Sequence, residues 1–278
     1  MRTITTVDEM TAARGAAPGP VGLVPTMGFL HEGHLSLVRA ARAECETVVV
    51  SIFVNPTQFG PGEDFERYPR DEENDLALLR DAGVDAVFVP AAEEMYPPGF
   101  AEWVEVRGPL TERLEGEHRP GHFRGVTTVV ARLFRIVRPD RAYFGRKDAQ
   151  QLAVIRRMTA DLSLSVEVVG LATVREPDGL AMSSRNVYLS PEERERALVI
   201  SRALGEAERM VAAGERDAGV VRECVRRALE LAGVVVDYVS VSDEETFEEV
   251  ERVEGAVLLL AAGRVGGTRL IDNVRLEA

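Results

Sequence analysis

Cysteine is nearly absent from this 278-residue chain: Cys45 and Cys224 are the only two, far apart and in no Cys-x-x-Cys pair. Neither a disulfide framework nor a zinc ribbon is expected, and both residues read as small buried side chains of helical segments. Long apolar runs are absent too. The longest, from Val48 to Val54 and from Ala256 to Ala262, fall well short of the ~20 residues of a membrane-spanning helix. The first twenty residues hold Asp8, Glu9 and Arg14 and no apolar core, so no secretory signal is expected and a reduced, cytoplasmic setting is. No Gly-x-x-x-x-Gly-Lys-Ser/Thr occurs, which excludes a P-loop. Positive charge is in deficit, with 33 Lys+Arg against 46 Asp+Glu and a net charge of −13. No broad phosphate-neutralising face is available for nucleic acid, so an anion site must be built from a few local cations. What remains is an ordinary globular composition, 45% hydrophobic and 28% charged. The length lies near the ~250–300 residues at which one core gives way to two, so two lobes are expected.

Short β-branched runs alternate with helical patterns over the first two thirds. Val21 to Val24 reads as a strand ending at Pro25, and His34 to Glu44 as a helix with Leu35, Val38 and Ala41 on one side. Thr47 to Val54 is an almost unbroken apolar run, the mark of a strand covered on both faces. A helix carrying Leu76 and Leu79 precedes a strand from Ala86 to Val89, and Val130, Leu133, Phe134 and Val137 mark another helix. Ala142 to Phe144 and Val166 to Val169 complete the series. This alternation implies right-handed βαβ units, hence an α/β fold with a doubly wound, Rossmann-like parallel sheet. From Ser190 the texture changes: Ser-Pro-Glu-Glu starts a long charged helix. A second helix places Val221, Val225 and Leu229 on one face, and three strands follow. Alternation around Ile271, Asn273 and Arg275 suits half-buried antiparallel pairing. The boundary falls between about 175 and 190, giving segments 1–180 and 181–278, the latter a smaller α+β unit.

The chemistry concentrates at strand ends. Pro25 to His34 joins the first strand to the first helix, the phosphate-binding position of a doubly wound fold. Gly28 and Gly33 would admit close backbone approach, and helix-start amides would favour an anion. His31 and His34, three residues apart, face the same way on a helical turn and suit phosphate oxygens. Half of a metal site is the competing reading of this pair, but no third histidine or cysteine pair lies near, and zinc needs three or four ligands. Gly145 to Gln151 follows another strand, where Lys147 supplies a point charge and Asp148 an acceptor for a ribose hydroxyl. Ala181 to Asn186 offers Ser183, Ser184 and the forked donors of Arg185. Asn55, Gln58, Tyr68 and Gln151 are uncharged groups suited to hydroxyls and carboxylates. Arg119 to Gly125, with His122, is a cationic loop. The histidine pair, Gly145–Gln151, Ala181–Asn186 and the Arg119 loop, each taken alone, also read as solvated polar turns.

In this order, Pro25–His34, Phe53–Gly60, Tyr68–Arg70, Arg119-Pro120 with His122-Phe123, Tyr143–Gln151, Thr173–Glu176, Met182–Asn186 and Thr268–Asn273 resemble the pantothenate synthetase (pantoate–β-alanine ligase) family. The His-x-Gly-His element by itself is shared with other nucleotidyltransferases and class I aminoacyl-tRNA synthetases. The resemblance implies ATP-dependent condensation of (R)-pantoate with β-alanine to pantothenate, AMP and pyrophosphate through a bound pantoyl adenylate. It implies that Met27, Gly28, His31, Gly33, His34, Gly145, Lys147, Asp148, Val174, Met182, Ser183, Ser184 and Arg185 line ATP. His34 is the family's assigned proton donor, His31 a phosphate partner, and Lys147 and Ser183 stand nearest the reacting phosphates. Gln58 and Gln151 would hold pantoate, Gln58 also β-alanine, with Asn55, Tyr68, Arg119 and His122 as further substrate contacts. Mg2+ would arrive on the ATP phosphates without a protein metal site. The resemblance further implies a cytoplasmic homodimer whose second domain is a lid, with no nucleic-acid or membrane partner. Three positions depart from the family's usual pattern: Arg146 replaces a common Glu, Ala149 a common Tyr, and Phe29 a small residue or Tyr. A nucleotidyltransferase that stops at an adenylylated product and a catalytically silent nucleotide binder are the alternatives.

Overall fold

The computed structural model describes the whole chain, Met1–Ala278. Strands β1 (Arg2–Ile4), β2 (Val21–Thr26), β3 (Thr47–Ile52), β4 (Ala86–Phe88), β5 (Arg141–Gly145) and β6 (Glu167–Leu171) form one sheet. Its order is β1-β4-β3-β2-β5-β6 and every pairing is parallel. All six residues of β3 are buried because helices cover both faces. Val48, Val50 and Ile52 join Leu37, Val38 and Leu79 on one side. Val49 joins Leu133, Phe134 and Ile155 on the other. Successive strand residues point to opposite faces, so a sheet buried twice leaves no polar alternation, and each such side chain removed from water contributes roughly 1.5–3 kcal/mol. The chain winds from β2 through β3 to β4 on one side, then returns to β5 and β6 on the other. Loops leaving β2 and β5 therefore part, and a crevice opens between them at the carboxyl ends.

Strand β1 and the helix Val7–Ala16 are not apparent in the sequence. Three residues carry too short a pattern, and β1 exists because β4 pairs with it, Arg2 opposite Ala86 and Ile4 opposite Phe88.

Past residue 190 the helices Pro191–Ala212 and Ala218–Leu231 precede β7 (Val235–Asp243), β8 (Ala256–Val265) and β9 (Thr268–Glu277), an antiparallel sheet in that order. Ser190 and Glu193 form a reciprocal capping box at the start of the first helix, worth about 1 kcal/mol. Leu270 and Leu276 of β9 face those helices, in a cluster with Leu204, Val225 and Leu259. Arg269 and Asn273, offset by one in the strand's period, turn the other way and meet Glu115 and the Arg146-Lys147 turn of the larger part. No helix is long and apolar enough to cross a membrane.

Candidate active site

Loops at the carboxyl ends of β2, β3 and β5, with the segment after β6, surround a cleft of about 230 Å³. Met27, His31, Gly33 and His34 come from the first loop and Asn55, Gln58 and Tyr68 from the second. Gly145, Lys147, Asp148 and Gln151 come from the third, and Val174, Met182, Ser183, Ser184 and Arg185 close it from the last. Gly28, Arg119 and His122 do not line it. Ser51, which reads in the sequence only as part of a buried strand, does; its fully buried hydroxyl lacks a hydrogen-bond partner.

Gly28 serves the turn rather than the ligand. It and Phe29 are both left-handed, at φ 81° and 50°, and a Cβ on Gly28 would come within 3.0 Å of the Asp75 carboxylate and of Ile52. Phe29 bears a conformational cost of roughly 1–2 kcal/mol there. Asp75 offsets it by accepting the Phe29 and Leu30 amides, each at 2.7 Å. Only 1% exposed, Asp75 is a site-building residue that the sequence hides among the acidic residues of the helix Glu72–Asp81.

The histidines form their own capping box. His31 Nδ1 accepts the Gly33 amide at 3.1 Å, and His34 Nδ1 accepts the His31 amide at 3.3 Å. The rings lie 4.1 Å apart between centroids. With both Nδ1 atoms accepting, a neutral ring carries its proton on Nε2 and donates from there. A Cβ at Gly33 would stand 2.9 Å from the His31 ring, so this glycine makes room for the fold-back. The expected supply of free helix-start amides is mostly consumed: the His31 and Gly33 amides go to the rings, and the His34 amide goes to the His31 carbonyl. The imidazoles take over as donors.

Burial, then the nearby Lys147 charge, lowers the His31 pKa to about 4. Burial, His31 and Lys147 together lower His34 to about 3. His122, lowered to about 4 by burial and the Arg119 charge, behaves alike. All three are neutral near pH 7. In the unfolded chain each titrates near 6.5, so between that value and the folded one the unfolded state binds more protons. Their contribution to stability is complete above about pH 6.5 and is lost as pH falls toward 4, on the order of 3 kcal/mol for a group held near 4. Burial alone would raise the Glu115 carboxyl, but the Arg269 and Arg119 guanidiniums bring it to about 2. That stabilisation is lost only below about pH 4.5. Thermal melting should therefore decline already between pH 6.5 and 5; a Tm flat across that interval would contradict burial of neutral imidazoles.

Lys147 lies where spaces meet. A second gap of about 120 Å³, lined by Glu63, Asp64, Arg264 and Thr268 among others, shares Lys147, Asp148, Ser183 and Arg185 with the cleft. Lys147 is the only lysine in the chain. Arg185, the one arginine lining the cleft, and Arg119 behind it are already paired. Arg185 holds Asp64 through two contacts of 2.8 Å and stacks against Tyr68. Arg119 holds Glu63 at 2.7 and 2.9 Å. Ser183 accepts the Arg185 amide, and Ser184 donates to the Phe29 carbonyl at 3.1 Å, tying the two predicted phosphate loops together.

On the polar side of the cleft, Asn55 is saturated. Its amide nitrogen donates to Gln58 Oε1 and the Gly125 carbonyl, while its oxygen accepts from Thr57 and Tyr96. Its geometry is that of a brace for Gln58. Arg119 and His122 stand one layer behind: His122 Nδ1 lies 2.9 Å from the Gln58 carbonyl and Nε2 lies 3.0 Å from Arg119. Glu63, Asp64 and Glu115, which hold these cations, carry no sequence signal beyond acidity. The Arg146 side chain is exposed and donates to the Gly170 carbonyl outside the cleft. Arg146 is therefore not among the residues that line the cleft. Ala149 packs against the cluster of Tyr238, Phe247 and Leu260.

The pantoate-beta-alanine ligase family model matches residues 1–275. A pantothenate synthetase from Roseiflexus sp. (strain RS-1) is 58% identical over 100% of both chains. The crystal structure of pantothenate synthetase from Thermus thermophilus superimposes with a TM-score of 0.95 at 54% identity, covering 99% of each chain. A Francisella tularensis pantoate-beta-alanine ligase, described as complexed with beta-gamma ATP and beta-alanine, gives a TM-score of 0.84 at 32% identity over 99% of this chain and 97% of that one. The fold, the order of the site loops and full-length similarity agree, and the chain belongs to the pantoate–β-alanine ligase family.

Proposed function

We propose that the cleft carries out the family's ATP-dependent condensation of (R)-pantoate with β-alanine in two steps, activating pantoate as a bound adenylate before the amine arrives. The observation that supports this is the meeting of an unpaired Lys147 ammonium, two neutral imidazoles and Ser183 on one cleft at the sheet's carboxyl edge. A pantoate carboxylate oxygen attacks the α-phosphorus, and the bond from that phosphorus to the bridging oxygen of pyrophosphate breaks. Lys147 and the His31 and His34 Nε2–H groups stabilise the charge gathering on the departing oxygens. The β-alanine nitrogen, having lost a proton, then attacks the acyl carbon, and the bond to AMP breaks. Gln58 and Gln151 orient the small substrates, Gln58 being held by Asn55 and, through its backbone carbonyl, by His122. Met27, Gly145, Asp148, Val174, Met182, Ser184 and Arg185 line the nucleotide. In this reading Gly28, Arg119 and His122 act through their neighbours, and Tyr68 faces the substrates.

Asp148 is the one carboxylate lining the cleft. Mg2+ habitually takes one or two carboxylates together with phosphate oxygens, so Asp148 fits an ion brought in on the triphosphate, which would supply charge neutralisation for the pyrophosphate. The part from residue 181 onward serves as a lid that keeps water from the adenylate, and the enzyme works as a cytoplasmic homodimer. Leaving out one component at a time from ATP, Mg2+, pantoate and β-alanine tests the reading. Pyrophosphate should form with pantoate but without β-alanine, and AMP and pantothenate should be released only when the amine is added. An adenylylated end product untouched by β-alanine would favour the transferase alternative, and ATP binding without turnover a silent binder.

A further inference from the structure

The turn that presents Lys147, Arg146–Asp148, has no side-chain cap, and neither does the start of the helix Ala149–Asp161 that follows. Its restraint comes from far along the chain. Both hydrogens of the Asn273 side-chain amide are directed at it, one donated to the Arg146 carbonyl at 3.0 Å and one to the Lys147 carbonyl at 2.8 Å. Asn273 is 9% exposed and lies outside the cleft, so it is placed to hold the turn and not the ligand. Its strand is anchored just before it, once on each face. Arg269 grips Glu115 at 2.7 and 2.8 Å, and Asp272, 4% exposed, grips Arg175 at 2.6 and 3.1 Å. Strand β9 is thus a fixed rail, and Asn273 is the point at which that rail takes hold of the lysine's backbone.

We infer that Asn273 is a positioning residue for Lys147, through which the C-terminal sheet sets where the ammonium stands over the phosphates. The inference rests on the role given to Lys147 above. The reason for expecting a kinetic consequence is geometric: a displacement of about 1 Å at a charge-stabilising group is enough to cost roughly 10²-fold in rate. Asn273→Ala removes both donors. Asn273→Asp keeps the shape but sets carboxylate oxygens against two carbonyl oxygens.

The single lysine permits a direct reading. Protein grown with 13C-lysine should give one Cε–Hε correlation, from Lys147. Both variants are expected to displace or broaden that signal and to lower kcat 10- to 100-fold, with KM for ATP within about threefold of wild type. Arg275→Ala, on the exposed end of the same strand where it pairs with Glu244 and Glu277, should change neither. Each variant is read only with a cooperative thermal transition, and the isosteric Asn273→Asp stands in if Asn273→Ala does not fold. An unmoved lysine signal with kcat within twofold of wild type, in either folded variant, overturns the inference. A moved signal with unchanged turnover upholds the grip of Asn273 and instead refutes the role of Lys147.

Discussion

Lys147→Ala is expected to slow pantoate-dependent pyrophosphate release by on the order of 10²-fold or more in a single turnover, the scale of losing one preorganised charge at a developing anion. Arg185 and Arg119 commit their forks to Asp64 and Glu63, and His31 and His34 are neutral. Lys147 is left as the cation on the cleft that makes no ion pair, with the Asp148 carboxylate as its neighbour in the lining. Arginine is a poor replacement because a planar fork cannot take the place of a compact ammonium in a turn held this closely. A second signature accompanies the rate. Because the Lys147 charge is one of the causes that depress both imidazoles, its removal should move their pKa values upward, which ring-proton titration by NMR can follow. A variant with single-turnover chemistry within threefold of wild type would defeat the proposed role.

The second large effect concerns His34. An imidazole with a pKa of about 3 is not protonated near neutrality, so in the free enzyme it has no imidazolium proton to give. Its proposed work is to donate an Nε2–H hydrogen bond. His34→Ala should therefore lower adenylate formation by about 10²-fold or more, whereas His34→Gln, whose amide can reach a similar position as a donor, should recover a substantial part of it. Were His34 a true acid, the two variants would be equally impaired. Both also lose the Nδ1 acceptor of the His31 amide, worth roughly 1 kcal/mol. A Tm measurement separates that loss from the chemical one. Rapid-quench measurement of pyrophosphate with pantoate and ATP alone is the assay, because it isolates the step that His34 touches.

Much of the fold is legible in the sequence because its signals are local or periodic. Six consecutive buried residues in β3 read as a covered strand, and Ser190 with Glu193 reads as a helix start, without reference to anything distant. The loops that line the cleft are legible for the same reason: glycines, histidines and the lysine sit at strand ends, where a parallel sheet leaves room for a ligand. What stays hidden is every pairing between distant residues. Asp75 sits among acidic residues of the same helix, and only the chain's return beneath Phe29 makes it an acceptor. Arg185 and Arg119 read as free cations, because a sequence cannot show that they pair with Asp64 and Glu63. Gly28 and Gly33 read as openings for a ligand, while their missing side chains make room for Asp75, Ile52 and the His31 ring.

The sequence by itself determined the α/β architecture, the family and the set of loops that meet at the sheet's edge, since strand periodicity, caps and ordered motifs are properties of neighbouring residues. Tertiary structure alone decided which of the charged groups stay free, that the imidazoles are neutral, and that a strand near the chain's end holds the lysine turn. Those outcomes depend on burial and on distances between residues far apart in the chain, 126 positions for Asn273 and Lys147, and electrostatic energy follows spatial separation and solvent exclusion rather than order along the chain.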